Sequence, residues 1–340
     1  HYTLDNAGNR TQEDTRDELG VLLRTLSQVY NQLGQLQTRK DAYQRPTGYT
    51  YDANGNVNTV TDALGRVTDN DYDPLNRLSR NLQDVAGIAA DTRFAYDAQD
   101  NLTKVTDPNG LDTGYTYNGL SDLIQLSSPD TGVTDFTYDS AGNRKTQTDA
   151  RGVSSSYSYD ALNRLTAIAY ADGSAGTSYT YDDNSACGGV SEAFNTGRLS
   201  AISDASGSTT YCYDRFGNLV SKTQTVNGQG FTVRYAYTLS GRLRQITYPN
   251  GLAVDYVRDA QGRATEVGVT PSGGVRQVLL SQATHAPFGP VTGWSFGNGR
   301  SLQRSLNQNY QPNTINDPAA GGLSLGYAFD AVGNLSTLRT

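Results

Sequence analysis

The sequence predicts an all-β fold: an antiparallel array of β-hairpins that spirals into a hollow shell. Three observations carry this. A short motif recurs, mostly every 21 to 24 residues. Aromatic residues spaced two apart precede it. Glycine- or asparagine-bearing turns bound the short alternating runs on both sides. A period of this length means one supersecondary unit stacked many times.

The motif reads Tyr-Asp, two free residues, Gly, then Asn or Arg, then an aliphatic. Clear copies begin at Tyr51-Asp52, Tyr138-Asp139 and Tyr213-Asp214. Aligned on the tyrosine slot, fifteen positions emerge between Leu4 and Phe329, ten of them Tyr, and seven of the fourteen intervals are 21 residues. Four places after the slot stands Gly in nine copies and Asn in two more, Asn76 and Asn163. Both accept positive φ, which marks a tight turn, and the Asp before it can bond backbone N–H groups of the same turn. A residue type that recurs in this way holds a scaffold. The expected scaffold residues are Tyr51, Asp52 and Gly55; Tyr72 and Asp73; Tyr96 and Asp97; Tyr138, Asp139 and Gly142; Tyr159 and Asp160; and Tyr213, Asp214 and Gly217.

A second turn lies mid-repeat, as in Asp62-Ala63-Leu64-Gly65, Asp107-Pro108-Asn109-Gly110 and Asp149-Ala150-Arg151-Gly152. Asp or Pro early and Gly late is type I or II turn chemistry. Between the turns the residues alternate, and Tyr or Phe stands two before the slot in eleven copies, which puts both rings on one strand face. Each repeat is therefore two strands and two turns. At about 4.8 Å per strand, fifteen repeats make a ribbon roughly 140 Å long, which twists and coils. Curled once, it would form a ring on the order of 45 Å across, whose successive coils could meet edge to edge.

Residues 16–36 carry a competing signal. Leu19, Leu22, Leu26, Val29, Leu33 and Leu36 follow helical spacing. Phase with the array, together with Gly20 and Gly34, predicts strands here instead.

The array is expected to occupy 1–340 as about fifteen repeats, with irregular insertions near 182–198 and 264–284. The chain starts inside a repeat at His1 and stops just after one at Thr340, so it is read as a fragment truncated at both ends within a longer protein. Hydrophobic residues are 36% of the chain, with 36 Gly, 23 Tyr and no Met. Regular Tyr slots can bury rings without a thick aliphatic core. The net charge of −7 argues against a nucleic-acid partner. No run of 18 apolar residues is present to span a membrane. Cys187 and Cys212 are expected as two buried free thiols; a disulfide requires the first insertion to fold back on the strand that carries Cys212.

These features resemble the YD-repeat, or Rhs, family, whose Tyr-Asp-x-x-Gly-Asn/Arg signature covers almost the whole chain. Phe288-Gly289-Pro290-Val291 and Phe296-Gly297-Asn298-Gly299 look like variants of the same phrase. The family includes bacterial polymorphic toxins, the C subunits of insecticidal toxin complexes, and teneurins. The resemblance implies a spiral β-shell around a polypeptide cargo, commonly a C-terminal toxin. It implies as partners that toxin cargo, the remaining repeats of the same chain, and a secretion-system spike or adaptor of the type VI kind used in interbacterial competition. It implies delivery out of the cell. In toxin members an aspartyl autoprotease releases the toxin at the end of the shell.

No residue of this chain is singled out as catalytic, cofactor-binding or metal-binding, and no cofactor is expected. Asp317-Pro318 resembles the family's cleavage element, but another repeat follows it, so a plain turn is the reading. The many Asp residues follow the turn period, which accounts for them without a glycosidase pair. His285 fills a Tyr slot with no nucleophile motif nearby. Asp69-Asn70-Asp71-Tyr72-Asp73 is oxygen-rich but lacks an EF-hand loop. Trp294, Phe288 and Phe296 read as packing before they read as a sugar platform. The expected function is encapsulation by a non-enzymatic wall. The alternative is a cell-surface adhesion or carbohydrate-binding module.

Overall fold

The computed structural model describes residues 1–188, 190 and 192–340. Among them are thirty β-strands and no helix, numbered in chain order from β1 (Tyr2–Leu4) to β30 (Leu335–Arg339). The strands run from three residues to nine, as in β3 (Leu22–Tyr30). Their pairings are antiparallel and join neighbours in sequence, as in β4 (Leu36–Lys40) with β5 (Pro46–Tyr51) and β5 with β6 (Val57–Thr61).

The helical stripe at 16–36 is not a helix. β2 (Arg10–Arg16) pairs with β3 across a turn in which the Asp17 carboxylate accepts the N–H groups of Leu19 and Val21 at 2.9 and 2.8 Å. Gly20 completes that turn at φ 82°. An acid that locks a turn, followed by Gly, outweighs six apolar residues whose helical face would have had nothing to pack against.

The stretch 264–284 corrects an expectation. It is not an irregular insertion. It forms β24 (Ala264–Thr270) and most of β25 (Gln277–His285), joined by a turn in which Gly274 N–H donates to Pro271 O at 2.9 Å. The additional residues enter a nine-residue strand and a register shift at Val267/Gly268. Residues 182–198 do leave the strand pattern, between β17 (Thr177–Tyr181) and β18 (Leu199–Asp204). Of the stretch Cys187-Gly188-Gly189 there, Gly189 lies outside the described residues.

The chain divides into two compact units. One is formed by His1–Asp112 together with Gln282–Thr340, the other by Thr113–Ser281. Full burial is rare in both. Cys187 and Cys212 are the buried apolar side chains among the described residues, and Asp14, Asn195, Ser200 and Ser221 the buried polar ones. Most strand residues are half-buried, so bonds between strands and turns do much of what a packed core does elsewhere.

Candidate functional site: the inter-repeat lock and the clipped insertion

Each slot turn is built the same way. In the Tyr51 copy, Gly55 N–H donates to Asp52 O at 3.1 Å and Asp52 N–H donates to Asn56 O at 3.0 Å. The Asp52 carboxylate accepts the N–H groups of Asn54 and Asn56 through one oxygen and the Asn56 amide through the other, each at 2.9 Å. The register shifts by one residue between Thr50 and Tyr51. This is a hairpin loop ended by a residue in the left-handed region. Gly55, Gly142 and Gly217 have φ of 89°, 83° and 88°, and Asn76 and Asn163 hold the same place at 63° and 59°. Asp97, Asp139 and Asp214 accept from Asn101, Asn143 and Asn218 in the same way, while Asp73 and Asp160 pair with Arg77 and Arg164. The side-chain amides of Asn56, Asn101 and Asn143, helped by backbone N–H groups, hold Asp52, Asp97 and Asp139 below the usual carboxylate range.

The residue that follows the turn glycine reaches the next slot turn. Asn56 Nδ2 donates to Asn76 Oδ1 and Asn143 Nδ2 to Asn163 Oδ1, both at 2.9 Å. Arg77 Nη1 donates to Asp97 O at 2.9 Å and to Asp100 Oδ1 at 2.7 Å, with its guanidinium 4.7 Å above the Tyr96 ring.

The slot tyrosine reaches the other way. The β4–β5 ladder begins at Thr38↔Gly48 and stops short of Leu36, whose carbonyl takes the Tyr51 hydroxyl at 2.8 Å. The same bond recurs from Tyr72 to Val57 O, Tyr96 to Leu78 O, Tyr138 to Leu123 O, Tyr159 to Arg144 O, Tyr181 to Leu165 O and Tyr237 to Leu219 O, at 2.8 to 3.0 Å. In each case the acceptor opens the preceding strand, two residues before the ladder to the tyrosine's own strand begins. The hydroxyl thus fills a gap left where two hairpins splay apart. Arg258, which stands in a Tyr slot, does the same through Nη2 to Leu243 O at 2.9 Å. Burial pushes the phenols of Tyr51, Tyr72, Tyr159, Tyr213 and Tyr237 above their ordinary value.

At Tyr213 a different partner closes the gap. The ladder between β18 and β19 (Gly207–Tyr213) runs only from Asp204↔Gly207 to Ala201↔Thr210. Beyond it the insertion folds back onto β19. Asn195 is fully buried there. Its Nδ2 donates to Tyr211 O at 2.9 Å and to Asp183 O at 2.6 Å, and its Oδ1 accepts Tyr213 N–H at 3.3 Å. Phe194 N–H donates to Tyr213 O at 2.8 Å. Cys187 and Cys212 are joined in a disulfide, with Cα atoms 5.6 Å apart. The expectation of two free thiols is thereby corrected. The insertion supplies the missing edge of β19 and so brings Cys187 against Cys212, a closure that sequence separation alone does not reveal. Glu192 pairs with Arg215 at the rim. Within this unit a cleft of about 1030 Å³ opens beside the insertion, lined by Val190, Glu192, Phe216, Arg234, Tyr237 and Leu239 among others.

The remaining candidates are placed as follows. Asp317 begins a turn between β28 (Pro312–Asn316) and β29 (Ser324–Phe329), with its N–H donating to Leu323 O at 2.7 Å. His285 ends β25. In the oxygen-rich run, Asn70 donates to Val57 O and accepts from Asn81, and Asp71 pairs with Arg80. Trp294 stacks against Arg304 at 5.1 Å and meets the edge of Phe296 at 5.9 Å, whereas Phe288 is exposed.

Comparison with solved structures shows the fold elsewhere. The chain superposes on a crystal structure of TcdB2-TccC3-TEV with a TM-score of 0.82 at 16% identity, and on the Photorhabdus luminescens Tc holotoxin pore with 0.81 at 16% identity. Each match covers 99% of this chain and 19% of the other. A TcdB2-TccC3 crystal structure gives 0.73 at 17% identity, covering 99% of this chain and 22% of that one. This chain therefore spans about a fifth of the length of the structures it resembles. A search of curated proteins finds no match. The RHS repeat model matches residues 30–67, 96–133, 117–154, 138–175, 195–232 and 213–253, together just over half of the chain. On that repeated match, and on the turn and tyrosine lock that give it physical meaning, the chain belongs to the RHS repeat family.

Proposed function

We propose that this chain is a stretch of the wall of a toxin-enclosing shell, and that it acts by enclosure and not by chemistry. The observation that carries the reading is the superposition of 99% of the chain on Tc toxin structures at TM-scores of 0.81 and 0.82. The distribution of polar groups supports it, since the Asp carboxylates are occupied by turn N–H groups and Asn or Arg partners at regular intervals. The cargo is a toxin polypeptide, and the other partners are further repeats of the same chain and a delivery component such as a secretion spike or adaptor. The destination is extracellular. The Cys187–Cys212 disulfide supports that destination, because such bonds persist in oxidising surroundings.

Limited proteolysis of the natural polypeptide tests the proposal. The enclosed segment should survive until the repeats themselves are cut. Its digestion ahead of the repeats would overturn the container reading.

A further inference from the structure

Three arginines of the unit formed by 1–112 and 282–340 share one cleft and lack an acid. Arg24 of β3, Arg39 of β4 and Arg45 of the mid-repeat turn at 41–45 line a cleft of about 400 Å³ together with Asn309 and Val332. None of the three makes an ion pair among the described residues, whereas Arg66 and Arg77 in nearby turns each hold an aspartate at 2.7 Å. The two acids of the cleft are already engaged. Asp41 accepts the N–H groups of Tyr43 and Arg45 through Oδ1 at 2.9 and 2.8 Å and the Asn309 amide through Oδ2 at 2.7 Å, and Asp62 holds Arg66.

The guanidinium donors are largely free. Arg24 Nε is buried and has no hydrogen-bond partner, with the guanidinium 5.3 Å from the centre of the Tyr310 ring. Buried N–H groups are normally matched by an acceptor, so this one marks a place for it. Arg45 gives one N–H to Asp330 O at 2.8 Å and rests 4.7 Å from the centre of the Tyr43 ring. Arg39 is exposed and donates no side-chain hydrogen bond among the described residues. The wall does not ask for a charge at Arg39. Two places before the mid-repeat turn begins, other repeats hold Val60, Val105, Ile202 and Ile246. The arginine therefore departs from the period at the one cleft where it meets two more.

We infer that this cleft is a binding site for a phosphate-type oxyanion. One guanidinium fork satisfies a planar carboxylate. Three guanidiniums supplied by two strands and a turn suit an anion with more than one charge and with oxygens pointing in several directions, as in tetrahedral phosphate. The cleft takes its walls from residues 24–63 and 309–333, so a bound anion stabilises this unit by mass action. The inference rests on these side chains and not on what a shell encloses.

Isothermal titration of the natural polypeptide with inorganic phosphate tests it, with acetate as the comparison at the same ionic strength. The expected result is saturable uptake of phosphate, a Tm that rises with phosphate concentration, and neither response to acetate. Arg39→Val restores the aliphatic of the other repeats and keeps the fold, which circular dichroism checks; it should weaken phosphate binding about tenfold, as loss of a charged hydrogen bond does. Arg45→Leu, which places there the residue type of Leu111 and Leu252, is the second variant and should weaken it likewise. Arg144→Gln, an arginine stacked on Tyr157 outside the cleft, should leave binding unchanged. Phenyl phosphate in a further arm separates the sources: tighter binding than phosphate assigns a phosphate ester, equal or weaker binding the free anion, and both keep the site. No saturable phosphate uptake by the folded parent, an equal response to acetate, or folded Arg39→Val and Arg45→Leu proteins that bind like the parent would overturn the inference. Failure of the container reading in proteolysis would leave the phosphate isotherm unchanged.

Discussion

Tyr138→Phe removes a single oxygen and leaves the ring in place. The lost bond is the 2.9 Å contact to Leu123 O, on the first residue of β12 (Leu123–Ser128). The ladder from β12 to β13 (Gly132–Tyr138) begins at Gln125↔Asp135, so no strand partner stands ready for that carbonyl. A net hydrogen bond is worth about 1 kcal/mol, and an orphaned buried carbonyl costs about 1–3 kcal/mol. Leu123 lies at a half-buried strand end, where water can approach, which puts the loss near the lower figure, about 1 kcal/mol. For a unit of the size of Thr113–Ser281 this lowers Tm by about 2–4 °C. Tyr181→Phe removes the equivalent bond to Leu165 O two repeats away, and the two bonds share no residue. The double variant should therefore lose about 2 kcal/mol, nearly the sum of the single losses. Denaturant unfolding followed by circular dichroism measures all three, with Tyr138→Leu as the control for ring packing. If Tyr138→Phe matches the parent while Tyr138→Leu falls, the ring alone holds the repeat and the hydroxyl lock is refuted.

Four other outcomes are expected. Arg258→Tyr should hold stability within about 1 kcal/mol of the parent, since tyrosine reaches the same carbonyl and removes a buried guanidinium nitrogen that has no partner, whereas Arg258→Leu should lose about 1–3 kcal/mol on denaturant titration. Gly142→Val should cost about 1–3 kcal/mol in calorimetry, because φ is 83° there; open space around the position means that strain and not collision is the cause, so Gly142→Asn should be far milder, as Asn163 already shows at φ 59°. Replacing both Cys187 and Cys212 by Ser should cost about 2–4 kcal/mol and bring the first protease cuts into 182–198; cuts that stay elsewhere would show that Asn195 holds the insertion unaided. Stability should also depend on pH at both extremes. The slot Asp carboxylates sit below their unfolded value near 4, so their contribution is complete above about pH 4 and is lost as pH falls through the lower folded values; the phenols of Tyr51, Tyr72, Tyr159, Tyr213 and Tyr237 sit above their unfolded value near 10, so theirs is complete below about pH 10 and is lost as pH rises. A Tm that stays level from about pH 5 down to about pH 2 would contradict the first, and one that stays level from about pH 9 up to about pH 12 the second.

The turns were legible in the sequence because they depend on residue types. Positive φ selects Gly or Asn, and the Asx lock selects Asp, so Gly142 and Asp139 announce their roles without a structure. The strands at 16–36 were legible through phase and through Gly20 and Gly34, since the spacing of Leu19 to Leu36 reads locally as a helix. The tyrosine hydroxyl's partner was not legible, because it is a backbone carbonyl and every residue carries one. Nothing in Arg258 as a letter says that it reaches the carbonyl a tyrosine would reach. The insertion was visible as a break in period, but its return onto β19 depends on Asn195, one polar residue among many, and the disulfide depends on that return.

The tyrosine lock has a direction. Its donor always follows its acceptor in the chain, as Tyr51 follows Leu36 and Tyr237 follows Leu219. A ribosome that adds about 5–20 residues per second makes one such repeat every few seconds. Each new tyrosine therefore emerges to find its acceptor already made and its predecessor's hairpin already closed. No repeat has to wait for a later one to complete the bond on its own hydroxyl. The tyrosine bonds can thus form in chain order, one repeat at a time from the N-terminal side, whereas forward bonds such as Asn56 to Asn76 wait for the next slot turn, and the first compact unit is complete only once Gln282–Thr340 has been made.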